Sequence, residues 1–377
     1  MRRINSKFGK TVVLSVVMLM AGTLTACNHG GETNPSQEVQ TSQEVQTTQE
    51  VQTTQETTKA EAQTETVMIP CEETAPEEKK EDYQTYESDT EGSTVYMTKD
   101  ISPEALQKAY EALGREAAGK VAVKLSMGEP GGHYFLSPDL IKELVQSVDG
   151  TIVDCNTAYG GKRASTAMHL QAAEDHGFTA IAPVDILDAE DEISLPVTGG
   201  THLKEDIVGS HYNDYDFVMV LSHFKGHEMG GFGGAIKNIS IGFASSGGKN
   251  LIHSAGNSLT GWGGSTQDTF LESMAEAASA VAADRGENIL YISVMNNLSV
   301  DCDCSAYPAK PAMADIGILA SLDPVALDQA CVDLVYLAED GEKLVKRIES
   351  KNGLLTLEHA EKMGLGGRTY RLVDLDE

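Results

Sequence analysis

The apolar run YDFVMVLS at Tyr215–Ser222 constrains the fold of this chain more than any other segment. It has the length of one strand, and it lacks the alternation of polar and apolar residues that marks a strand with one face in water. A strand of this kind is covered on both faces. That is the position of a central strand in a parallel sheet with helices on each side.

Strand and helix patterns alternate along the chain on both sides of this run. We expect further strands at Val121–Leu125, Thr151–Asp154, Ala180–Leu187, Asn288–Val294 and Ile316–Ala320, and helices at 102–118, 137–147, 166–176, 268–284 and 323–337. Ser102 and Asp323 each stand directly before a proline, which is typical of a helix start. The predicted fold class is α/β, with a mostly parallel sheet flanked by helices. Such a sheet binds ligands at the carboxyl ends of its strands.

Residues 1–27 have the pattern of a secretory signal peptide. Basic residues precede an apolar segment, Thr11–Leu19, which is too short to cross a bilayer. The Leu-Thr-Ala-Cys that ends at Cys27 resembles the lipobox of bacterial lipoproteins, in which the cysteine is acylated and becomes the mature N-terminus. The resemblance implies a protein anchored in the lipid bilayer through Cys27, on the extracytoplasmic side of the cell membrane. An uncleaved signal anchor is the alternative.

Residues 28–100 have the composition of a disordered acidic tether. The hexapeptide SQEVQT occurs at Ser36–Thr41 and Ser42–Thr47, and TQEVQT follows at Thr48–Thr53. Repeats of Gln, Glu, Thr and Ser with a single Val cannot bury enough apolar surface to offset the entropy of ordering the chain. Residues 101–377 are assigned to the α/β domain, and we expect folding to begin between Tyr83 and Ile101.

The net charge excludes one class of partner. The chain has 57 acidic and 28 basic residues, a formal charge of −29. Nucleic acids bind clustered Lys and Arg, so we expect no nucleic-acid partner. A segment that does concentrate basic residues is therefore informative.

Such a segment, 222–238, follows the buried strand and places ionisable side chains among glycines. His223 and His227 can bind metal or transfer protons near neutral pH. Glycines let the backbone approach a ligand, and exposed N–H groups favour an anion such as phosphate or carboxylate. The candidate binding residues are Lys225, Gly231, Gly233, Gly234, Lys237 and Asn238. The alternative is a flexible glycine loop with solvated side chains.

In addition to His223, three more positions are candidate metal ligands. His253 follows a second glycine-rich stretch, and Cys302 and Cys304 are separated by one residue. Zinc and iron are bound by such side chains. A structural role for His253, and reduced or externally paired thiols for the two cysteines, are the alternatives. Cys331 shares a helical stripe with apolar residues, and we expect it in the core.

Much of this sequence resembles an uncharacterised family, domain of unknown function number 362. The resemblance is carried by HFKGHEMGGFGGAIKNISIGFASSGGK, by the later Cys-Asp-Cys and by PAMADIGILASLDPVALDQACVDL, and it covers most of Ala118–Leu337. Many members carry a ferredoxin-like module, so the resemblance implies an association with iron–sulfur clusters. This chain has no CxxCxxC series.

A shorter segment resembles the lactate racemase family, which uses a nickel-pincer nucleotide. The residues that carry this resemblance are His227, Gly231, Phe232, Gly234 and Lys237. In that family a histidine at the first place is a catalytic acid or base. The lysine ten residues on holds the cofactor covalently, and a histidine about 16 residues later ligates nickel. His227, Lys237 and His253 fall on those positions, while Ala235 stands where the family has glycine.

Two classes of function follow from these patterns. The first is an enzyme of racemase, isomerase or oxidoreductase type that performs proton or hydride chemistry on a small carboxylate. Its candidate cofactors are a nickel-pincer nucleotide, an iron–sulfur cluster or another metal. The second is an extracytoplasmic lipoprotein that binds a small anion or metal, or an iron–sulfur protein. The first class requires that His227, Lys237 and His253 line one cavity at the carboxyl rim of the sheet.

Overall fold

A computed structural model describes residues 83–302 and 309–377, and its core is an eight-stranded sheet. The strands are β1 (Ser93–Thr98), β2 (Val121–Lys124), β3 (Thr151–Asp154), β4 (Val184–Ile186), β5 (Glu192–Pro196), β6 (Glu205–Gly209), β7 (Phe217–His223), β8 (Lys225–His227), β9 (Gly231–Gly233), β10 (Ile289–Met295), β11 (Gly317–Ser321) and β12 (Tyr370–Asp374). The helices are α1 (Pro103–Ala112), α2 (Pro138–Ser147), α3 (Thr166–Asp175), α4 (Ala235–Ile239), α5 (Ser246–His253), α6 (Gln267–Arg285), α7 (Pro324–Leu337), α8 (Glu342–Ser350) and α9 (Leu355–Lys362).

The strand order in the main sheet is β12-β1-β11-β10-β7-β2-β3-β4. Only β11 runs antiparallel to its neighbours, β1 and β10, and all the other pairs are parallel. Two hairpins, β5–β6 and β8–β9, lie outside this sheet. The prediction of a mostly parallel α/β sheet is confirmed.

Strand β7 is buried along its whole length and separates two apolar cores. Val218 and Val220 belong to the core that includes side chains of α4, α6 and α7. Phe217, Met219 and Leu221 belong to the core that includes side chains of α1 and α2. Full burial of one such side chain is worth about 1.5–3 kcal/mol. The strand therefore holds helices on both faces of the sheet.

The two proline-marked helix starts are confirmed. The side chain of Ser102 accepts from the N–H of Ala105, and Asp323 accepts from the N–H groups of Val325 and Ala326. Helix α1 is shorter than predicted, because Gly114 adopts a φ of +61° just after it.

Two other boundaries differ from the sequence prediction. The strand predicted over Ala180–Leu187 is reduced to Val184–Ile186, since Pro183 has no N–H to donate to a neighbouring strand. Strand β1 begins at Ser93, inside the interval in which we expected folding to begin. Cys331 is fully buried in the core, as predicted.

Several sequence predictions concern residues outside the described ranges: the signal peptide, Cys27, the hexapeptide repeats and Cys304. Within 83–302 and 309–377, no helix is long and apolar enough to cross a membrane.

Asp333 on α7 ties the first described residues to the last strand. Its carboxylate accepts from the hydroxyls of Tyr83 (2.8 Å) and Tyr370 (2.9 Å) and from the backbone N–H of Tyr86 (2.8 Å). The side-chain amide of Gln329 donates a fourth bond, at 2.7 Å. These donors satisfy a carboxylate that is 1% exposed.

Replacing Asp333 with Ala should lower the free energy of unfolding by about 2–4 kcal/mol, because several buried donors lose their acceptor. Urea denaturation measures the change. Asp374→Ala is the matched control, since Asp374 is exposed, lies 4.0 Å from the ammonium of Lys99 and accepts only one exposed hydrogen bond, from the N–H of Asp376. That variant should stay within about 0.5 kcal/mol of wild type. Equal losses in the two variants would contradict the assignment.

Candidate functional site

A cavity of about 470 Å³ opens at the carboxyl ends of β2, β3 and β7. The last residues of these strands, Lys124, Asp154 and His223, are all part of its wall. The predicted site residues that line it are His223, Lys225, His227, Gly233, Gly234, Lys237, Asn238, His253 and Cys302. The condition that His227, Lys237 and His253 share one cavity is met.

Gly231 is the predicted binding glycine that does not line the cavity. Its φ is +79°, and a Cβ atom there would lie 3.0 Å from the Cα of Gly353. The absence of a side chain at Gly231 therefore allows β9 to pack against the segment between α8 and α9.

Asp328 fixes the helix that carries Lys237 and Asn238. Its carboxylate accepts from the N–H groups of Ala235 (2.7 Å) and Ile236 (2.9 Å) at the start of α4. A Cβ atom at Gly234 would lie 2.2 Å from this carboxylate, so only glycine fits there. Asp328 is fully buried, and burial raises its pKa to about 7.

The hydrogen bonds of His227 assign its tautomer. Nδ1 accepts from the backbone N–H of Met229 (3.2 Å) and of Gly230 (2.9 Å). An imidazole whose Nδ1 accepts carries its proton on Nε2. His227 is 8% exposed. It is therefore a buried N–H donor in the cavity wall.

His253 has the opposite tautomer. Nδ1 faces the carbonyl of Lys249 at 2.7 Å, so it carries the proton and Nε2 keeps its lone pair. The ring is stacked between Trp262 (4.4 Å between centroids) and Phe270 (4.8 Å). Burial lowers the pKa of His253 to about 4, and the charges of Lys237 and Lys249 act in the same direction. His253 is therefore neutral near pH 7.

His223 uses both ring nitrogens within the protein. Nε2 donates to the carbonyl of Asn296 at 2.6 Å, and Nδ1 lies 3.4 Å from the ammonium of Lys225. That ammonium also donates to the carbonyl of His223 at 3.1 Å. This arrangement orients Lys225 and leaves His223 no ring nitrogen for a metal ion.

A buried network of charges that the sequence analysis missed forms the floor of the cavity. Asp154 contacts Lys124 Nζ at 3.1 Å and Arg163 Nη1 at 3.4 Å, and Arg163 Nε contacts Glu129 at 3.0 Å. Burial alone would raise the pKa of Asp154, but Lys124, His169 and Arg163 hold it well below its usual range. The sequence contains one sign of this network, which is Lys124 inside the otherwise apolar strand predicted over Val121–Leu125.

The cysteines divide into three environments. Cys302 lines the cavity and is disulfide-bonded, so its sulfur is not a thiolate ligand in this state. The thiol of Cys155 donates to the carbonyl of Phe243 at 3.1 Å, and burial raises its pKa. Cys331 lies in the core. Among the described residues, no group of three or more His, Cys, Asp or Glu side chains is arranged to hold a metal ion.

The cavity is cationic in a chain of strongly acidic composition. Its lining includes three carboxylates, Asp154, Glu228 and Asp301, and five cations, Lys124, Arg163, Lys225, Lys237 and Lys249. Excess positive charge in a concave, poorly hydrated site attracts anions.

The residues that build this site lie in a segment shared with known sequences. The family described as "Domain of unknown function (DUF362)" matches residues 121–333, which is more than half of the chain. The chain belongs to the DUF362 family. All the described cavity residues named above lie within the matched range. No curated protein matches the chain at a significant level.

Two solved structures are similar to this DUF362 protein. The lactate racemase apoprotein from Thermoanaerobacterium thermosaccharolyticum is 15% identical, with a TM-score of 0.36, over 53% of this chain and 50% of that one. A crystal structure of a structural-genomics protein from Thermotoga maritima is 14% identical, with a TM-score of 0.36, over 69% of this chain and 58% of that one. The chain thus spans between half and three fifths of their lengths.

The raised pKa of Asp328 predicts a pH dependence of stability. Between the unfolded value of 3.8 and about 7, the folded protein holds a proton that the unfolded chain releases, so stability falls as pH rises. Asp328→Asn cannot titrate and should show a shallower fall between about pH 4 and pH 7. Urea denaturation across this range measures both slopes. Asp139→Asn, at an exposed position on α2, should keep the wild-type slope; an unchanged slope in Asp328→Asn would contradict the prediction.

Proposed function

We propose that this DUF362 protein is an enzyme that binds a small carboxylate in its cationic cavity and performs proton or hydride chemistry on it. The observation that carries the proposal is that His227, Lys237 and His253 line one cavity with complementary tautomers. One imidazole offers a proton donor and the other offers a lone pair. A static binding pocket for an anion has no need of the lone pair.

The cations of the cavity support binding of a carboxylate. Charge-assisted hydrogen bonds from ammonium groups to carboxylate oxygens are among the stronger polar contacts in proteins. The buried Nε2–H of His227 is suited to an oxygen on which negative charge develops, as a neutral histidine stabilises such charge without losing its own proton. His227 is therefore assigned the role of a hydrogen-bond donor to the reacting oxygen.

A metal-bearing cofactor of the pincer type fits two other residues of the cavity, His253 and Lys237. A metal-ligating histidine commonly donates its second N–H to a backbone carbonyl, which fixes the ring and leaves the other nitrogen for the metal. His253 has this arrangement with the carbonyl of Lys249. Lys237, which lines the same cavity, would hold the organic part of the cofactor. When bound, such a cofactor supplies an acceptor for hydride.

An iron–sulfur cluster does not fit the described residues. Cys302 is disulfide-bonded, Cys331 is in the core, and the Cys155 thiol is hydrogen-bonded to a carbonyl. Cluster ligation needs several thiolates around one point. We therefore derive no function through such a cluster.

Simple capture of an anion by a lipoprotein is the second candidate, and the excess of cations in the cavity favours it. Such a protein would need the cations but neither the His227 donor nor the neutral His253. The two functions therefore differ in which variants lose activity and in what the purified protein carries.

Protein purified from its native host should carry stoichiometric metal and absorb visible light. Lys237→Ala and His253→Ala should each remove the metal and the colour, while the free energy of unfolding falls by less than about 2 kcal/mol. His227→Ala should keep both the metal and the colour, since His227 is assigned no part in holding the cofactor. Elemental analysis, absorbance and denaturation measure these effects.

The matched control is His133→Ala, since His133 is exposed and does not line the cavity. It should resemble wild type in every measurement. Colourless, metal-free wild-type protein whose melting temperature rises with a carboxylate would support capture of an anion instead. Unfolding of Lys237→Ala and His227→Ala would make both residues structural.

The location of the protein belongs to the same proposal: a lipid anchor at Cys27 on the extracytoplasmic side of the cell membrane. Cys27→Ser should move the protein from the membrane fraction to the soluble fraction of the native host, because the acylated sulfur is lost. Immunoblots of the two fractions measure the shift. A variant that stays with the membrane would favour the uncleaved signal anchor.

A further inference from the structure

The backbone around α5 forces one more lysine into the cavity wall. Ser245 caps this helix by accepting from the N–H of Gly248 at 3.0 Å. A Cβ atom at Gly248 would lie 2.0 Å from the carbonyl oxygen of Ile207, so glycine allows α5 to approach β6 closely. Lys249 follows directly and is only 7% exposed. It lines the cavity, although the sequence analysis did not select it.

Two other cations of the cavity, Lys124 and Arg163, use their N–H donors in hydrogen bonds within the protein. The ammonium of Lys124 donates to the carbonyl of Leu125 (3.2 Å), to Asp154 (3.1 Å) and to the side chain of Asn238 (2.9 Å). An ammonium has three N–H donors, so Lys124 has none left. The guanidinium of Arg163 is likewise engaged, through Nε, Nη1 and Nη2.

Lys249 differs from both. Its ammonium donates to the carbonyl of Ala244, and that is its one hydrogen bond to the described residues. No carboxylate in 83–302 or 309–377 forms an ion pair with it. Buried donors are almost always satisfied, so two N–H groups of Lys249 require acceptors that the described protein does not supply.

Two buried acidic groups, Asp206 and the Cys155 thiol, interact electrostatically with Lys249. Asp206 is completely buried, neither of its oxygens has a hydrogen-bond partner among the described residues, and burial raises its pKa to about 8. Burial also raises the pKa of the nearby Cys155 thiol, so that thiol is not an anion at neutral pH. Neither group forms a hydrogen bond or an ion pair with Lys249 among the described residues.

We infer that Lys249 is an oxyanion-binding residue of the cavity, which takes a carboxylate or phosphate oxygen with its two remaining N–H donors. Lys249 and His253 are four residues apart on α5 and therefore share a helix face. The bound oxyanion thus lies beside the His253 ring. The inference rests on the proposed function only in that an anion occupies the cavity.

The chain contains its own reporter for this site. Trp262 is the single tryptophan of the sequence, and it stacks on the His253 ring at 4.4 Å. The fluorescence of the full-length protein therefore follows occupancy next to Lys249. Titration with inorganic phosphate in one arm and acetate in the other distinguishes the two sources of an oxyanion.

Wild-type protein should give a saturable change with at least one of the two anions. Lys249→Met should weaken that binding by about 10- to 100-fold, as expected for loss of charge-assisted hydrogen bonds. Lys249→Arg, which keeps charge and donors, should bind. Lys142→Met removes the same charge from an exposed position on α2 and should bind like wild type.

Unchanged affinity in Lys249→Met overturns the inference. So does the lack of a saturable response of wild type up to about 100 mM of either anion, because binding with so high a Kd is not specific. Urea denaturation shows whether Lys249→Met is folded, and Lys249→Gln replaces it if it is not. The readout is binding of inorganic phosphate or acetate and involves no turnover. The binding of the anion can therefore be judged even if the proposed enzymatic function is wrong.

Discussion

Burial of β7 on both faces is the constraint on which the rest of the structure depends. Because Val218 and Val220 face one core and Met219 and Leu221 the other, helices must cover the sheet on each side. The strand remains apolar on both faces as long as helices cover both faces of the sheet. Where the strand ends, at His223, the covering layers separate and a cavity forms. Polar side chains, which would be costly to bury within the strand itself, line this cavity.

A buried cation needs partners for its charge and its N–H donors, and the cations of this cavity fall into two groups. Lys124 and Arg163 converge on Asp154, so their charges are matched and their donors are used. A matched buried triad contributes little net stability, but removal of one member leaves an unpaired charge, which costs several kcal/mol. Lys249 has no such match among the described residues. The first group shapes the cavity, and Lys249 remains able to act on a ligand.

The sequence predicted the fold well because strand and helix periodicities are local properties. The starts of α1 and α7 depend on a capping side chain before proline, and β7 on a continuous apolar run. The short hairpin β8–β9 was not predicted, since its three-residue strands are rich in glycine and have no apolar alternation. Strand β1 and the edge strand β12 were not predicted, since they pair with each other from opposite ends of the described chain.

Site residues were predictable where chemistry and glycine spacing coincide along the chain. His227, Lys237 and His253 were therefore found, and the roles assigned to them stay predictions. The tautomers and the contact of Lys249 could not be found in this way, because each depends on how the local backbone places an N–H group or a carbonyl. The Asp154 network could not be found because it joins side chains from separate elements. The disulfide at Cys302 makes the cavity wall depend on the surroundings of the protein as well. Disulfides persist in oxidising compartments and are reduced in the cytosol, so the covalent structure of this cavity wall depends on the redox state of the protein's surroundings.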